Sequence, residues 1–489
     1  MSQTTTFDEI PYDWLKPGTY IEARPNYANM GLVPFPARAV LFVQMLASGT
    51  AEARTLYRIT RATEGTALFG AGSVGADMVT AFKAANRTSD VYAIALPDAD
   101  VGQAATGSFA FSGSGSGPIA LYIGDVRVRI SATSTSTPAS LAAAAVAAIN
   151  AQVSLPVTAT AATDKVALTA RHKGEVGNSI LLSVARRNDE VLPSGLTVTI
   201  EPMTGGTGNP DVQELLDVIT NEWFTDIACA WSDAANQAAL ATDLATRFKA
   251  MGKKDGHAYI GATGTFGEMT AKGAVTNSPH ISLIGGKRLA TAPWQWAAGL
   301  CGLATFHLTN DPARQLRSLV MTGIMAPATE DLFTEEEQNL LLGSGVSTFN
   351  VLPDGTVTLD RIVTTYKVSN LNVTDRAWLD IMVPKTLTRV RYDWSAYVTL
   401  LYPRHKLADD DSAAAAHSDA VVTPKRMLAS WAARCSLYER NAWIEDTKRT
   451  IEESSFTRSK DDRNRLEGNQ QIVIIGNLMV LAAALEFQV

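Results

Sequence analysis

The sequence predicts a multidomain chain of α/β and α+β type. A discontinuous α/β core domain carries an inserted mainly-β domain, and a C-terminal α+β domain follows. Three observations carry this reading. Short apolar runs alternate with helical segments on both sides of residues 107–208, the pattern of a covered, largely parallel sheet. Two Gly-rich passages, "FSGSGSGP" at 111–118 and "MTGGTGNP" at 203–210, punctuate the first half; such passages favour loops and breaks. From about residue 331 the texture turns to hairpins and longer amphipathic helices.

In the core, "VYAIAL" (91–96), "DIACAW" (226–231), "HAYIGA" (257–262) and "HISLIG" (280–285) are short and apolar, hence buried strands. Helical segments lie at 210–222, 233–250 and 266–274. Inside the insertion, Ile119, Leu121 and Ile123 alternate, Gly124-Asp125 suits a two-residue turn, and Val126, Val128 and Ile130 alternate again. "TPASLAAAAVAAINA" follows as a helix with Thr137 or Ser136 as cap. "PVTATAATDKVALTA" reads as a second hairpin, and "NSILLSVARR" and "GLTVTIEP" as further strands.

Beyond residue 331, "FTEEEQNLLLGSG" is a helix capped by Thr334 and ending at Gly343, with acidic residues in its first turn. A hairpin turns at Asp354-Gly355. "DRAWLDIMVPKTLTRVRYDWSAYVTLLYP" is helical with an interruption near Pro384. A helix over 424–447 has Thr423 as cap and Pro424 in its first turn. The chain closes on "NLMVLAAALEFQV", where Met479, Leu481, Ala483, Leu485, Phe487 and Val489 share one face of a strand.

At 489 residues the chain holds a few domains. Its net charge of −7 argues against a general nucleic-acid binder. Cys229, Cys301 and Cys435 are far apart, with no CxxC, so neither a disulfide framework nor a zinc site is expected, and three thiols fit a reducing cytosol. The N-terminus lacks the marks of a signal peptide, and no run of about 18 apolar residues predicts a membrane span.

Candidate chemistry is sparse. "GAGSVG" at 70–75 matches GxGxxG, with a helix at 76–86 and Asp98 downstream. That outlines a dinucleotide fingerprint, but "RATEGTALF" before it is a poor buried strand, and a loop-to-helix turn is the favoured reading. His405 and His417 flank an acidic stretch that reads as a charged loop rather than a metal site. No HExxH, GxSxG or GxxxxGK[ST] occurs. On the helix from 424, Arg426, Arg434, Arg440 and Lys448 fall within about a third of the circumference. They make either a solvated surface or a docking face for an acidic partner.

Taken in order, the segments resemble a known family. "PGTYIEARPNYANMG", "ALFGAGSVGADMVTAFKAANRTSDVYAIAL", "NDPARQL", "GIMAPATEDLFTEEEQNLLL", "DGTVTLDRIVTTY", "WLDIMVPKTLTRVRY", "YPRHKLADD", "VVTPK" and "DRNRLEGNQQIVIIGNLMVLAAALEF" are similar to the tail sheath subunits of contractile phage tails, in particular those of Mu-like phages. The passage "LYIGDVRVRI…VALTARHKGEVGN" resembles their decorating domain. "NRTSD" stands where a Gly-Gly turn is common, and "EGNQQIVIIGNL" is less proline-rich than the family's pattern.

The resemblance implies a structural protein with no catalytic, cofactor-binding or metal residues. Its copies would form a helical sheath of stacked hexameric rings around a tail tube protein, bounded by baseplate and tail terminator proteins. Contraction would drive the tube through the host envelope for genome ejection. No direct nucleic-acid contact and no membrane insertion are implied. The sheath would belong to the virion tail, assembled in the host cytoplasm. The implied parts are an N-terminal arm (1–30), a discontinuous sheath domain (31–106 and 209–330), an outer decorating domain (107–208), a C-terminal core domain (331–476) and a C-terminal arm strand (477–489). Thr19, Tyr20 and Ile21, with Met479, Leu481, Leu485 and Phe487, would exchange strands between subunits. Gly18, "RPNYANMG" and Gly476 would be joints, and Arg426, Arg434, Arg440 and Lys448 a tube-facing stripe. Two other readings stand beside this: the sheath of a phage-like bacteriocin or other contractile injection system, and a nucleotide-binding oxidoreductase using Gly70, Gly72 and Gly75.

Overall fold

The computed structural model of the chain describes residues 9–22, 31–187, 189–418 and 420–488. It divides into two compact units. The larger comprises Pro36–Arg389 with the segment from Gly476 onward; the smaller comprises the described residues up to Phe35 with Val390–Ile475.

The larger unit opens with β1 (Arg38–Gln44), β2 (Leu56–Ile59), α1 (Thr63–Phe69), α2 (Val74–Ala85) and β3 (Asp90–Leu96). Next come β4 (Ala104–Gly113), β5 (Gly117–Ile123), β6 (Val126–Ala132), α3 (Pro138–Ala151), β7 (Val157–Ala162), β8 (Lys165–Lys173), β9 (Leu182–Val184) and β10 (Leu196–Thr204). It continues through α4 (Gln213–Val218), β11 (Asp226–Cys229), α5 (Ala234–Phe248), β12 (His257–Thr263), α6 (Phe266–Ala274), β13 (Ile281–Gly286) and α7 (Pro293–Asn310). Then follow α8 (Glu335–Gly343), β14 (Val346–Val351), β15 (Val357–Arg361) and α9 (Met382–Leu401), within which the boundary between units falls.

An eight-stranded sheet of order β15-β14-β13-β12-β11-β1-β3-β2 forms the core. Its inner pairs are parallel, and β2 and β15 close it as antiparallel edges. Parallel strands need cover on both faces, which is why their sequences are continuously apolar. Ala39, Val40, Leu41, Phe42 and Val43 of β1 are all fully buried, each large side chain contributing about 1.5–3 kcal/mol. Helices α2 and α7 pack on each other; α2 also packs on β1, and α7 on β11 and β12.

The strands from residue 104 to 204 pair among themselves, as sheets β10-β4-β8-β7 and β6-β5-β9. Gly124-Asp125 makes the expected tight turn: Ile123 pairs with Val126, and Gly124 takes φ 63°. Thr137 caps α3 by accepting from the Ser140 N–H. A buried network ties these sheets to the core. The Asp98 carboxylate meets His172 Nδ1 at 2.7 Å and accepts from Gln44 Nε2 at 2.7 Å and Lys173 N–H at 2.9 Å. His172 Nε2 accepts the Val74 N–H at 3.2 Å.

The smaller unit contains the last part of α9, then β16 (Lys406–Leu407), α10 (Ala413–His417), β17 (Val421–Val422), α11 (Pro424–Arg440), β18 (Ile444–Glu445), α12 (Thr447–Glu452), β19 (Ser455–Arg458), β20 (Leu466–Asn469) and β21 (Val473–Ile474). Met427, Trp431, Cys435 and Tyr438 recur at helical spacing along α11 and are buried. Trp431 meets Trp394 of α9 edge-on at 5.1 Å.

Several expectations need correction. The boundary expected at 331 does not separate a new domain, because β14 pairs in parallel with β13 and extends the same sheet. Pro384 does not interrupt a helix. It lies in the first turn of α9, where its missing N–H has no intrahelical role. The helix expected over 424–447 stops at Arg440: Asn441 caps it and Ala442 turns at φ 54°. The helix expected over 210–222 shortens to Gln213–Val218. No strand forms over 478–488. All three cysteines are buried thiols, and burial pushes Cys229 and Cys435 up to about 12.

Candidate assembly interface

The residues that suggested enzyme chemistry are absorbed by the fold. "GAGSVG" follows a helix, α1, rather than a strand. Gly70 and Gly72 take φ 91° and 74°, and Ser73 caps α2 by accepting from the Ala76 N–H. A Cβ on Gly72 would lie 2.4 Å from the Leu155 carbonyl oxygen, and one on Gly75 would strike the Phe69 ring. These glycines serve close packing and a turn. Among the described residues, no group of three or more His, Cys, Asp or Glu side chains is placed to hold a metal ion. A cleft of about 360 Å³ lies at the carboxyl ends of β11 and β12, lined in part by Glu268, Lys272, Lys287 and Trp294. Three of its charges are engaged within the chain. Lys272 Nζ donates to Thr263 O, Lys287 Nζ to Glu337, and Glu268 closes the capping box of α6.

The termini behave differently. Thr19, Tyr20 and Ile21 lie in irregular chain without a strand partner among the described residues. Tyr20 meets Trp14 edge-on at 5.9 Å, while Ile21 is 87% exposed. The "RPNYANMG" joint lies, apart from Gly31, outside the described residues. At the other end, Asn477 Nδ2 donates to Ala313 O, Gln315 Nε2 to Leu478 O and Arg317 to Met479 O, at 3.0, 3.3 and 3.4 Å. Met479 packs against the core cluster. Beyond it the apolar side chains face water: Leu481, Leu485 and Phe487 are each more than 80% exposed. An exposed apolar row outside any ladder is what strand addition uses.

The four basic residues do not form one surface. Arg426 donates to the carbonyls of Ala415, Ser418 and Val421. Arg434 is buried: its Nε and Nη2 reach Asp393 Oδ2 at 3.0 and 2.5 Å, and its guanidinium lies 4.7 Å over the Tyr397 ring. Burial is the largest influence and works against the charge, but the hydrogen bonds and charge attraction of Asp393 and Tyr438 together exceed it and raise the Arg434 pKa. Tyr438 donates to the same Asp393 oxygen at 2.7 Å. Arg440 is exposed, and Lys448 is exposed on a separate helix, α12. The stripe expectation fails for Arg426 and Arg434, because a helical wheel takes no account of acceptors on other elements. Asp393 was missed; an acid among Tyr392, Trp394 and Tyr397 on α9 was the available signal.

Residues 205–365 match the model of the phage tail sheath protein central domain. Over 484 residues, 99% of each chain, the sequence is 29% identical to the Mu-like prophage FluMu tail sheath protein of Haemophilus influenzae. Residues 205–365 therefore carry a sheath central domain, and the whole chain is similar to a Mu-like prophage tail sheath protein. The sheath tail protein of Listeria innocua shares the fold, with a TM-score of 0.50 at 12% identity over 92% of this chain and 95% of that one. The contracted helical sheath of the anti-feeding prophage aligns with a TM-score of 0.49 at 13% identity, over 96% and 98%. The sheath protein described here is a structural subunit of a contractile tail.

Proposed function

We propose that this sheath subunit polymerises as stacked hexameric rings around a tail tube, and that contraction drives the tube through the host envelope for genome ejection. Segments 9–22 and 478–488 are its tethers, each adding a strand to a neighbouring copy. The single observation that carries this is the exposed row of Leu481, Leu485 and Phe487 on chain that has no ladder of its own. Main-chain bonds are worth about 0.5–1.5 kcal/mol each. Five or six of them with one buried apolar face give several kcal/mol per arm. They also survive rigid-body rotation of the attached bodies, as a machine with two packings requires. The sheets between residues 104 and 204 form the outer decoration. Arg440 and Lys448 are the charges left for the tube, while baseplate and tail terminator proteins cap the ends.

The test is deletion of 478–489 in the purified chain. The variant keeps its circular dichroism and melting temperature and forms no tubes in electron micrographs. Tubes of normal yield, or an unfolded variant, would return the segment to its own subunit's fold.

A further inference from the structure

The buried pair in the smaller unit has an unusual set of partners. Asp393 is fully buried. It accepts from Arg434 and Tyr438, and also from the main-chain N–H of Val33 at 2.7 Å. Arg434 Nη1 in turn donates to the main-chain carbonyl of Gly31 at 3.2 Å. Phe35 adds an edge-on contact with Tyr392 at 5.3 Å. The pair is thus completed by the backbone at the base of the N-terminal segment, not by its own two helices alone. Buried ion pairs are costly to desolvate, and their best-attested use is to fix one arrangement among several. The local sequence is "GLVPFP", and its two prolines fix their own φ and hold Val33 and Phe35 extended.

We infer that Asp393 and Arg434 are positioning residues for assembly: they clamp Gly31 and Val33, so that the preceding segment leaves the unit along one trajectory toward a neighbouring copy. This rests on the tether reading above. The clamp sets the direction in which the arm departs. Loss of direction lowers the effective concentration of the arm at its target without removing any contact within the folded body.

Three variants test it. Val33→Pro removes the donated N–H and leaves the ion pair whole. The double variant Asp393→Leu, Arg434→Met replaces the charges with apolar groups. Deletion of 1–30 removes the arm. Melting temperature and tube yield by sedimentation are measured for each. The expected result is a melting temperature within about 5 °C of the parent for Val33→Pro, with tube yield down at least about tenfold, and no tubes from the deletion. The double variant follows Val33→Pro in yield; if it unfolds, Val33→Pro decides. Parent-like yields from Val33→Pro, with none from the deletion, overturn the clamp and leave the tether standing. Parent-like yields from the deletion overturn both.

Discussion

β1 and the closing segment are both runs of mainly apolar residues, and they end up in opposite surroundings. In β1, Ala39 through Val43 are fully buried between two parallel neighbours. In the closing segment, Leu478, Val480, Leu481, Leu485 and Phe487 are all more than 70% exposed. Burial is therefore a property of the partners available, not of the run itself. Where one chain cannot supply the partners, a second copy can.

The sharpest way to break this contrast is to remove one phenyl ring from each region. Phe42→Ala opens a cavity in the core and costs about 3–5 kcal/mol, read as a large fall in melting temperature. Phe487→Ser leaves the melting temperature of the monomer unchanged and reduces tube yield. Equal losses of monomer stability would erase the distinction.

A smaller effect sharpens the buried side. Asp77 accepts from Trp294 Nε1 at 3.1 Å, and burial, with Asp125 nearby, pushes its pKa from 3.8 up to about 7. The folded state then holds a proton that the unfolded state releases near pH 4. Stability falls as pH rises from about 4 to about 7 and is level above that. Asp77→Asn flattens the slope but does not abolish it, since burial also raises Asp125. Melting curves at pH 5 and pH 8 check this, and parallel profiles for parent and variant would refute it.

The smallest effect concerns the surface. Arg440→Glu with Lys448→Glu changes monomer stability by no more than about 0.5 kcal/mol. If these charges face the tube, the pair lowers assembly on tubes at low salt more than at high salt. A salt-independent yield would remove the tube from their role.

Much of the larger unit was legible because its signals are local. "VYAIAL" and "HAYIGA" became buried parallel strands, and Thr137 and Thr334 cap their helices, as Thr423 does in the smaller unit. What failed depended on distance. Arg434 looked solvated because its acceptor stands 41 residues away on α9. The edge hairpin of β14 and β15 resembled a new domain because parallel pairing with β13 leaves no mark in its own sequence. The turn at Ala442 was unmarked because a left-handed alanine carries no glycine signal. Strand periodicity was visible in the last residues, but whose sheet they join was not.

The three thiols bear on durability. A virion waits outside any reducing compartment, where exposed cysteines oxidise and cross-link. Cys229, Cys301 and Cys435 are sealed in the interior, and burial raises the pKa of all three. No thiol is presented to air or to a neighbouring copy, so disulfide cross-links cannot weld adjacent subunits together. A device that fires once, after long storage, keeps its parts free to slide.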